Sequence, residues 1–565
     1  FASKSLVCDL GTFTAKCAEI NDFGKVKFFT VSVSVTYEPG RRLGGRLSAA
    51  KVSKEETFQY FTMKIGDNDS NVDLFNFETP LKIPLTLEKL SIEELTGYFI
   101  EYLTDSVIKD KINSPLYIIT QTTESKRLET IQTALELSSI SKFDFINTKI
   151  ALSEYVSSLV ESPEKNIIVV DFGFSKFGLY HFEKEIKNDQ KEYNLKSSKI
   201  YKFGAANIIN KISEDILEFY NQHCVGANGN KIKKMEAFNY SIKAFEGLTH
   251  SKYLPFPIKY EDCLISLKRE KYFEDNLVEV FLKDFLRTSN LDSNMDGLKF
   301  VTIGSASYSP VLKDLIEKMV KLDQIFVPNE PKYSLVSGSV TLLKNAVSQN
   351  LKICDESLYF ILDNQTKLDL GDEDGCILLS KNFSQKYTNL KDNFTFTFFS
   401  HDQPLYELIC TITDEAISEN GSFEIFFKLE SSLHISIKEV KYSAEDSEKQ
   451  ELGKNVGIKC VKKIKSPLSL EVLNGITSRI TSYREKEQEI KNRDFEMKKL
   501  VEKVEFYKAL LAKLTEDENI LSKKNETVYQ IQVSKLDHFK DVLNSFELKM
   551  LTIKGSEKSE EISGN

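Results

Sequence analysis

Two stretches of the chain, SLVCDLGTFTAKCAEI (Ser5 to Ile20) and NIIVVDFGFSKFGLYHF (Asn166 to Phe182), read as the same device. In each, an apolar strand ends in Asp-X-Gly, turns, and runs back as a second β-favouring strand. Their acidic positions, Asp9 and Asp171, are about 160 residues apart. A chain that builds this device twice is constrained toward a duplicated architecture whose halves face each other; the alternative is two unrelated hairpins. At 565 residues the chain exceeds one hydrophobic core, so two or three domains are expected.

The segments around the two devices give the order of elements. Ser91 to Lys109 places Ile92, Leu95, Phe99 and Leu103 at helical spacing behind a Ser cap with Glu94 three residues on, which predicts an amphipathic helix. In KFVTIGSASYSPVLKDLIEKMV, a strand (Lys299 to Ile303) meets a turn at Gly304 and then a helix after Pro310, an arrangement that can cradle an anion or a nucleotide. From Leu358 to Tyr442 short alternating runs such as FTFTFF and FEIFFKL predict a β-sandwich. After Pro467, Ile476, Ile480, Tyr483, Met497, Val501, Val504, Leu511 and Leu514 fall at helical spacing among Lys and Glu, predicting a long amphipathic helix or helical hairpin. The predicted domains are 1–350, 356–445 and 466–555, with 556–565 a disordered tail.

Hydrophobic residues at 41% and charged residues at 28% exclude a disordered chain. A net charge of −9 with no dense Lys/Arg stripe argues against nucleic acid. No run approaches the roughly 20 apolar residues of a membrane span. The eight cysteines are scattered singly, without CxxC or zinc spacing, which argues against a structural metal; they read as small buried hydrophobes rather than disulfide partners, and neither demand nor forbid an oxidising compartment. Residue 1 is Phe, consistent with a removed signal peptide, and Asn-X-Ser/Thr sequons at Asn68, Asn239, Asn364, Asn382, Asn393, Asn420 and Asn525 permit secretory entry.

In this order, the segments resemble the heat-shock protein 70 family over nearly the whole chain. DLGTFTAK (Asp9 to Lys16) is similar to the family's first phosphate loop, VVDFGFSKFGLY to its second, INTKIALSEY (Ile146 to Tyr155) to its connecting segment, IGSASYSP to its adenosine loop, and SLVSGSV (Ser334 to Val340) to the last helix of its nucleotide domain. GRRLGGRLSAA, ICDESLYFIL, the Ser-His-Asp of FTFFSHDQPLYELI and the helix YREKEQEIKNRDFEMKKLVEKVEFY are similar to the large, divergent branch, the 110-kDa proteins and the endoplasmic-reticulum 170-kDa glucose-regulated chaperones.

The resemblance implies an actin-like (ribonuclease H-like, duplicated) α/β nucleotide-binding domain, a β-sandwich that takes extended polypeptide, and a helical lid. It implies ATP or ADP with Mg, held by Asp9, Gly11, Thr12, Phe13, Lys16, Asp171, Gly173, Ser175, Lys176, Gly204, Gly304, Ser305 and Ala306, with Asp9 and Asp171 reaching the metal through water; Asp9, Asp171 and the loosely aligned Lys64 are the catalytic candidates. Departures weaken the chemistry. Phe174-Ser175-Lys176 replaces a Gly-Gly-Thr, although Lys176 offers a charge for a phosphate; Thr148 replaces a carboxylate; Ser305 and Tyr308 replace a Gly and an adenine-stacking Arg; and the helix from Ile242 lacks the adenosine-facing Glu, Lys and Arg.

The expected function is a chaperone or co-chaperone that holds unfolded polypeptides and opens the cleft of a conventional heat-shock protein 70, with ATPase activity weak at most. An ATP-driven foldase and a ligand-free scaffold are the alternatives. The endoplasmic reticulum lumen is the expected compartment and the cytoplasm the alternative, since GSEKSEEISGN is not a Lys-Asp-Glu-Leu type of retention signal.

Overall fold

A computed structural model of the chain describes residues 5–38, 41–44, 57–59, 61–65, 90–107, 114–138, 140, 142–159, 165–187, 190–224, 234–250, 256–260, 263–268, 270–273, 277–291, 297–308, 310–344, 352–353, 357–362, 367–371, 377–378, 382–388, 393–413, 422–429, 433, 435–443, 454–464, 468–521, 538, 540–546 and 548–549. The tail 556–565 and the sequons at Asn68, Asn364, Asn420 and Asn525 lie outside the described residues. Internal contacts divide the chain into two units, Phe1–Val35 with Gly44–Leu47 and Phe58–Pro467, and Thr36–Leu43 with Ser48–Thr57 and Leu468–Asn565.

The first unit opens with an antiparallel meander, β1 (Ser5–Leu10), β2 (Thr14–Ile20) and β3 (Val26–Ser32). Three short strands follow in sequence, β4 (Ser34–Glu38), β5 (Arg41–Gly44) and β6 (Thr57–Gln59), of which Thr36–Leu43 and Thr57 belong to the second unit; the first unit continues with α1 (Ile92–Val107), β7 (Leu116–Thr120), α2 (Ser125–Leu137), β8 (Phe143–Asn147) and α3 (Thr148–Ser158). The α1 start is the one the sequence marks: Ser91 Oγ accepts from the Glu94 N–H at 3.1 Å. Strands β1, β7 and β8 are parallel, and the sheet order is β3-β2-β1-β7-β8.

The same plan then repeats. A second meander, β9 (Asn166–Phe172), β10 (Phe177–Lys187) and β11 (Gln190–Tyr201), precedes α4 (Ala205–His223), α5 (Lys234–His250), the hairpin β12 (Phe256–Tyr260) and β13 (Cys263–Leu267), α6 (Glu270–Phe273), α7 (Leu277–Thr288), β14 (Leu298–Ile303), α8 (Pro310–Glu317), β15 (Ile325–Phe326) and α9 (Ser334–Lys344). Strands β9, β14 and β15 are parallel, and the run β11-β10-β9-β14-β15 repeats the order and directions of β3-β2-β1-β7-β8. The halves share a core in which α3 and α9 cross at Gly338, where a Cβ would overlap the Ala151 carbonyl oxygen.

Strands β16 (Lys352–Ile353), β17 (Leu358–Leu362), β18 (Lys367–Asp369), β19 (Ile377–Leu378), β20 (Asn382–Thr388), β21 (Asn393–Ser400), β22 (Gln403–Ile412), β23 (Ser422–Leu429), β24 (Ile435–Ser443), β25 (Lys454–Asn455) and β26 (Ile458–Lys463) follow. Two sheets, β18-β17-β21-β22-β26 and β20-β23-β24-β25, carry Phe396 of one against Phe427 of the other at 5.3 Å. Alternation buries Phe394, Phe396 and Phe398 on β21 and Phe423, Ile425 and Phe427 on β23, as the sequence pattern requires. The Ser-His-Asp tripeptide is the β21–β22 turn: His401 and Asp402 have φ of 44° and 63°, the mirror-image geometry that matches strand twist. Strands β16 and β19 leave the sandwich and extend the second α/β sheet beyond β11, so one apolar cluster runs from Val169 and Leu195 through Ile353 and Ile377 to Phe360.

The cysteines depart from the sequence reading. Cys8 bonds Cys17 across β1 and β2, Cys410 bonds Cys460 across β22 and β26, and Cys224 is also disulfide-bonded; among the described residues no cysteine is free. Scatter along the chain hid pairs that strand register brings opposite each other, Cys8 to Cys17 and Cys410 to Cys460.

In the second unit, α10 (Leu470–Leu521) is one helix of 52 residues. Its stripe includes buried Ile476, Ile480 and Val504. Arg42, almost fully buried, is bound bidentately by Glu487 (Nε to Oε1 2.9 Å, Nη2 to Oε2 3.2 Å) and its backbone N–H donates to the same carboxylate at 2.9 Å. The guanidinium also lies 5.4 Å from the Tyr483 ring centre.

Two substitutions test this packing. Gly338→Ala should destabilise the first unit by about 1–3 kcal/mol, because the α3–α9 crossing cannot open without moving both halves, as read from urea denaturation. Glu487→Ala should remove the bidentate carboxylate from a buried guanidinium and cost the second unit about 3 kcal/mol, seen as faster proteolysis of α10.

Candidate functional site

The two Asp-X-Gly turns end equivalent strands of the two halves, β1 and β9, and the fold brings them to one cleft of about 570 Å3. Asp9, Gly11, Thr12, Phe13 and Lys16 line it from the first turn, and Asp171, Gly173, Phe174, Ser175 and Lys176 from the second. Gly304 and Ser305 close one end, and Thr148 at the start of α3 lies in the wall. Gly204 is the N-cap of α4, directly behind the second turn. The 3-10 turn Phe61–Lys64 contributes Thr62, with Ile65 just after it; the Lys64 side chain, like those of Ala306 and Tyr308, lies outside the described residues.

Each turn is pinned from beneath. On the first, Thr62 Oγ1 donates to the Gly11 carbonyl at 3.1 Å, and the buried Cys8–Cys17 bond ties the two strands one residue before Asp9 and one after Lys16. Successive strand residues point to opposite faces, so the bridge underlies the face away from Asp9 and Lys16. On the second, the Gly173 N–H donates to the Lys176 carbonyl at 2.9 Å. Gly304 has φ of 87°, and a Cβ there would lie 2.8 Å from Asp171 Oδ1, so both backbone and space require glycine.

Electrostatics on the floor are tense. Asp171 is half-buried by its own surface but sits deep in the protein, and loss of water, followed by the negative charge of Asp9, pushes its carboxyl up to about 7; Lys16 pulls it partly back. Lys16 Nζ lies 3.5 Å from Asp9 Oδ2. Arg127, which also lines the cleft, is spent on structure, donating to Thr120 Oγ1 at 2.9 Å and to the Ile65 carbonyl at 3.3 Å.

A further wall is mixed, with one face of α5 carrying Ile242, Phe245, Glu246 and Thr249 into the cleft beside Ile209 of α4. Sequence reasoning saw only what this helix lacks; the spacing of 242, 245, 246 and 249 was the signal that one face is turned inward. It also missed Thr62 and Arg127.

These residues do not fit a magnesium triphosphate. Polyphosphate needs open backbone N–H groups and close approach to small residues. Here the α4 N-terminus is committed to the second turn, the Ala205 N–H donating to Gly173 O at 3.2 Å and the Ala206 N–H to Phe174 O at 2.8 Å, while the Gly204 N–H donates to Asn207 Oδ1 at 2.9 Å. Phe13 and Phe174 stack at 5.9 Å between the turns, and Lys16 occupies the space beside Gly11. Asp9 and Asp171 suit a cation, but among the described residues no cluster of three His, Cys, Asp or Glu stands ready to hold a metal.

No family model matches the chain, and no curated protein matches its sequence.

The raised Asp171 carboxyl gives a signed prediction. Its folded value, about 7 against the usual 3.8, contributes stability that is complete below pH 4 and is lost as pH rises through 7. Asp171→Asn stays neutral, so urea midpoints should show the variant gaining on wild type at pH 8 and matching it more closely at pH 5.

Proposed function

We propose that the chain is a divergent heat-shock protein 70-type chaperone that works without a productive ATP cycle, binding unfolded polypeptide and acting on a conventional heat-shock protein 70 as a nucleotide exchange factor. The observation that carries the reading is the twice-used strand order, with one acidic turn from each half facing a common cleft and a β-sandwich and long helix following in sequence. On this reading the first 350 residues form an actin-like domain, the sandwich offers an edge or groove to an extended segment, and the 52-residue helix is the lid. No helix among the described residues is long and apolar enough to cross a membrane.

Hydrolysis has little support. Thr148 brings a hydroxyl to the wall where a carboxylate would order water, and the polar floor holds Asp9, Lys16 and Asp171 in mutual contention. The ATP-driven foldase is therefore the weaker alternative. A ligand-free scaffold is the second reading, favoured by the aromatic contact inside the cleft. For compartment we propose the endoplasmic reticulum lumen over the cytoplasm, because the Cys8–Cys17 and Cys410–Cys460 bonds suit an oxidising environment.

The purified chain should suppress aggregation of a chemically denatured client at equimolar ratio and speed release of labelled ADP from a conventional heat-shock protein 70. Single-turnover assays should find no ATP hydrolysis above background. Absence of both client protection and exchange leaves the scaffold; robust hydrolysis restores the foldase.

A further inference from the structure

The gap between the two acidic turns is bridged by side chains. Thr12 Oγ1 and Ser175 Oγ, 163 residues apart in sequence, form a hydrogen bond of 3.2 Å. Beside it the Phe13 and Phe174 rings stack with centres 5.9 Å apart and planes 27° from parallel. Both rings pack on an apolar cluster of Ala205, Ala206, Ile209 and Phe238, with Ile242 and Phe245 against it. This makes the pair part of a small core formed by the turns, α4 and α5. Gly204 permits the arrangement, since a Cβ there would come within 2.5 Å of the Phe174 carbonyl oxygen.

We propose that Thr12, Phe13, Phe174 and Ser175 form a built-in clasp that holds the two halves of the α/β domain closed in place of a nucleotide. Each half contributes one hydroxyl and one ring, so opening the cleft breaks the hydrogen bond and wets both aromatic faces. A ligand moves an equilibrium only by its preference for one state over the other. Where the closed state is already held by the chain's own contacts, nucleotide has little left to stabilise, and the rings stand where phosphates would need bare backbone. The clasp concerns the cleft alone and does not depend on the chaperone reading.

Hydrogen exchange on the full-length protein tests it, following residues 9–16, 171–178 and 234–250 with and without millimolar Mg-ATP. Wild type should exchange at the same rate in both conditions. Phe174→Gly should exchange roughly tenfold faster in all three segments, and Phe174→Leu, which keeps apolar contact, should stay near wild type. Slowing of wild-type exchange by Mg-ATP, or wild-type rates in the glycine variant, overturns the clasp. Should the glycine variant fail to fold, Thr12→Val combined with Ser175→Ala reports on the same opening, again with faster exchange expected and unchanged rates fatal. Client-protection assays on the same variants are read separately, so loss of chaperone activity and loss of the clasp remain distinct results.

Discussion

Two carboxylates from distant parts of the chain share one cleft floor with Lys16, and the geometry around them follows from making that tolerable. Lys16 is 3.5 Å from Asp9, while Asp171, deep in the protein and facing the Asp9 charge, holds its proton toward neutral pH. Strand register enforces the placement: Asp9 is opposite Lys16 in the β1–β2 pair, and Asp171 is opposite Gly178 in the β9–β10 pair. The second turn thus has no cation facing its carboxylate across the ladder, and loss of water around Asp171, followed by the Asp9 charge, raises its carboxyl.

Much of the scaffold was legible because it is local. Strand, turn and returning strand are written in adjacent residues, as are the Ser91 cap of α1, the alternation of β21 and β23, and the helical stripe of α10. The strands β25 and β26 fall past the Leu358 to Tyr442 stretch that alternation marked, because β26 carries lysines on its exposed positions and alternates weakly. The meeting of Phe13 with Phe174 was not legible, since nothing in either turn records a neighbour reached only through the tertiary fold. The disulfides were half legible: once the β1–β2 turn is assigned, the ladder puts Cys8 opposite Cys17, but a count of spacings alone does not.

The site illustrates that a backbone plan and the chemistry it could host are separate matters. Gly11, Gly173, Gly204 and Gly304 all sit where a Cβ would crowd a protein atom: Lys16 Nζ, the Lys176 carbonyl, the Phe174 carbonyl and Asp171 Oδ1 in turn. A glycine pattern therefore reports crowding, and only the identity of the crowding atoms says whether a ligand is involved.

The pairing of β16 with β11 has a consequence for how the molecule coexists with sticky neighbours. A long antiparallel strand such as β11 would otherwise present its outer rim of amide and carbonyl groups as a template for foreign strands. The segment entering the sandwich lies along that rim at Leu195 and Ile353, and β19 is laid outside it at Ile353 and Ile377. A two-residue strand is too short to seed cross-β stacking, so where β16 and β19 cover the rim, at Leu195, the sheet ends on a stub that recruits poorly.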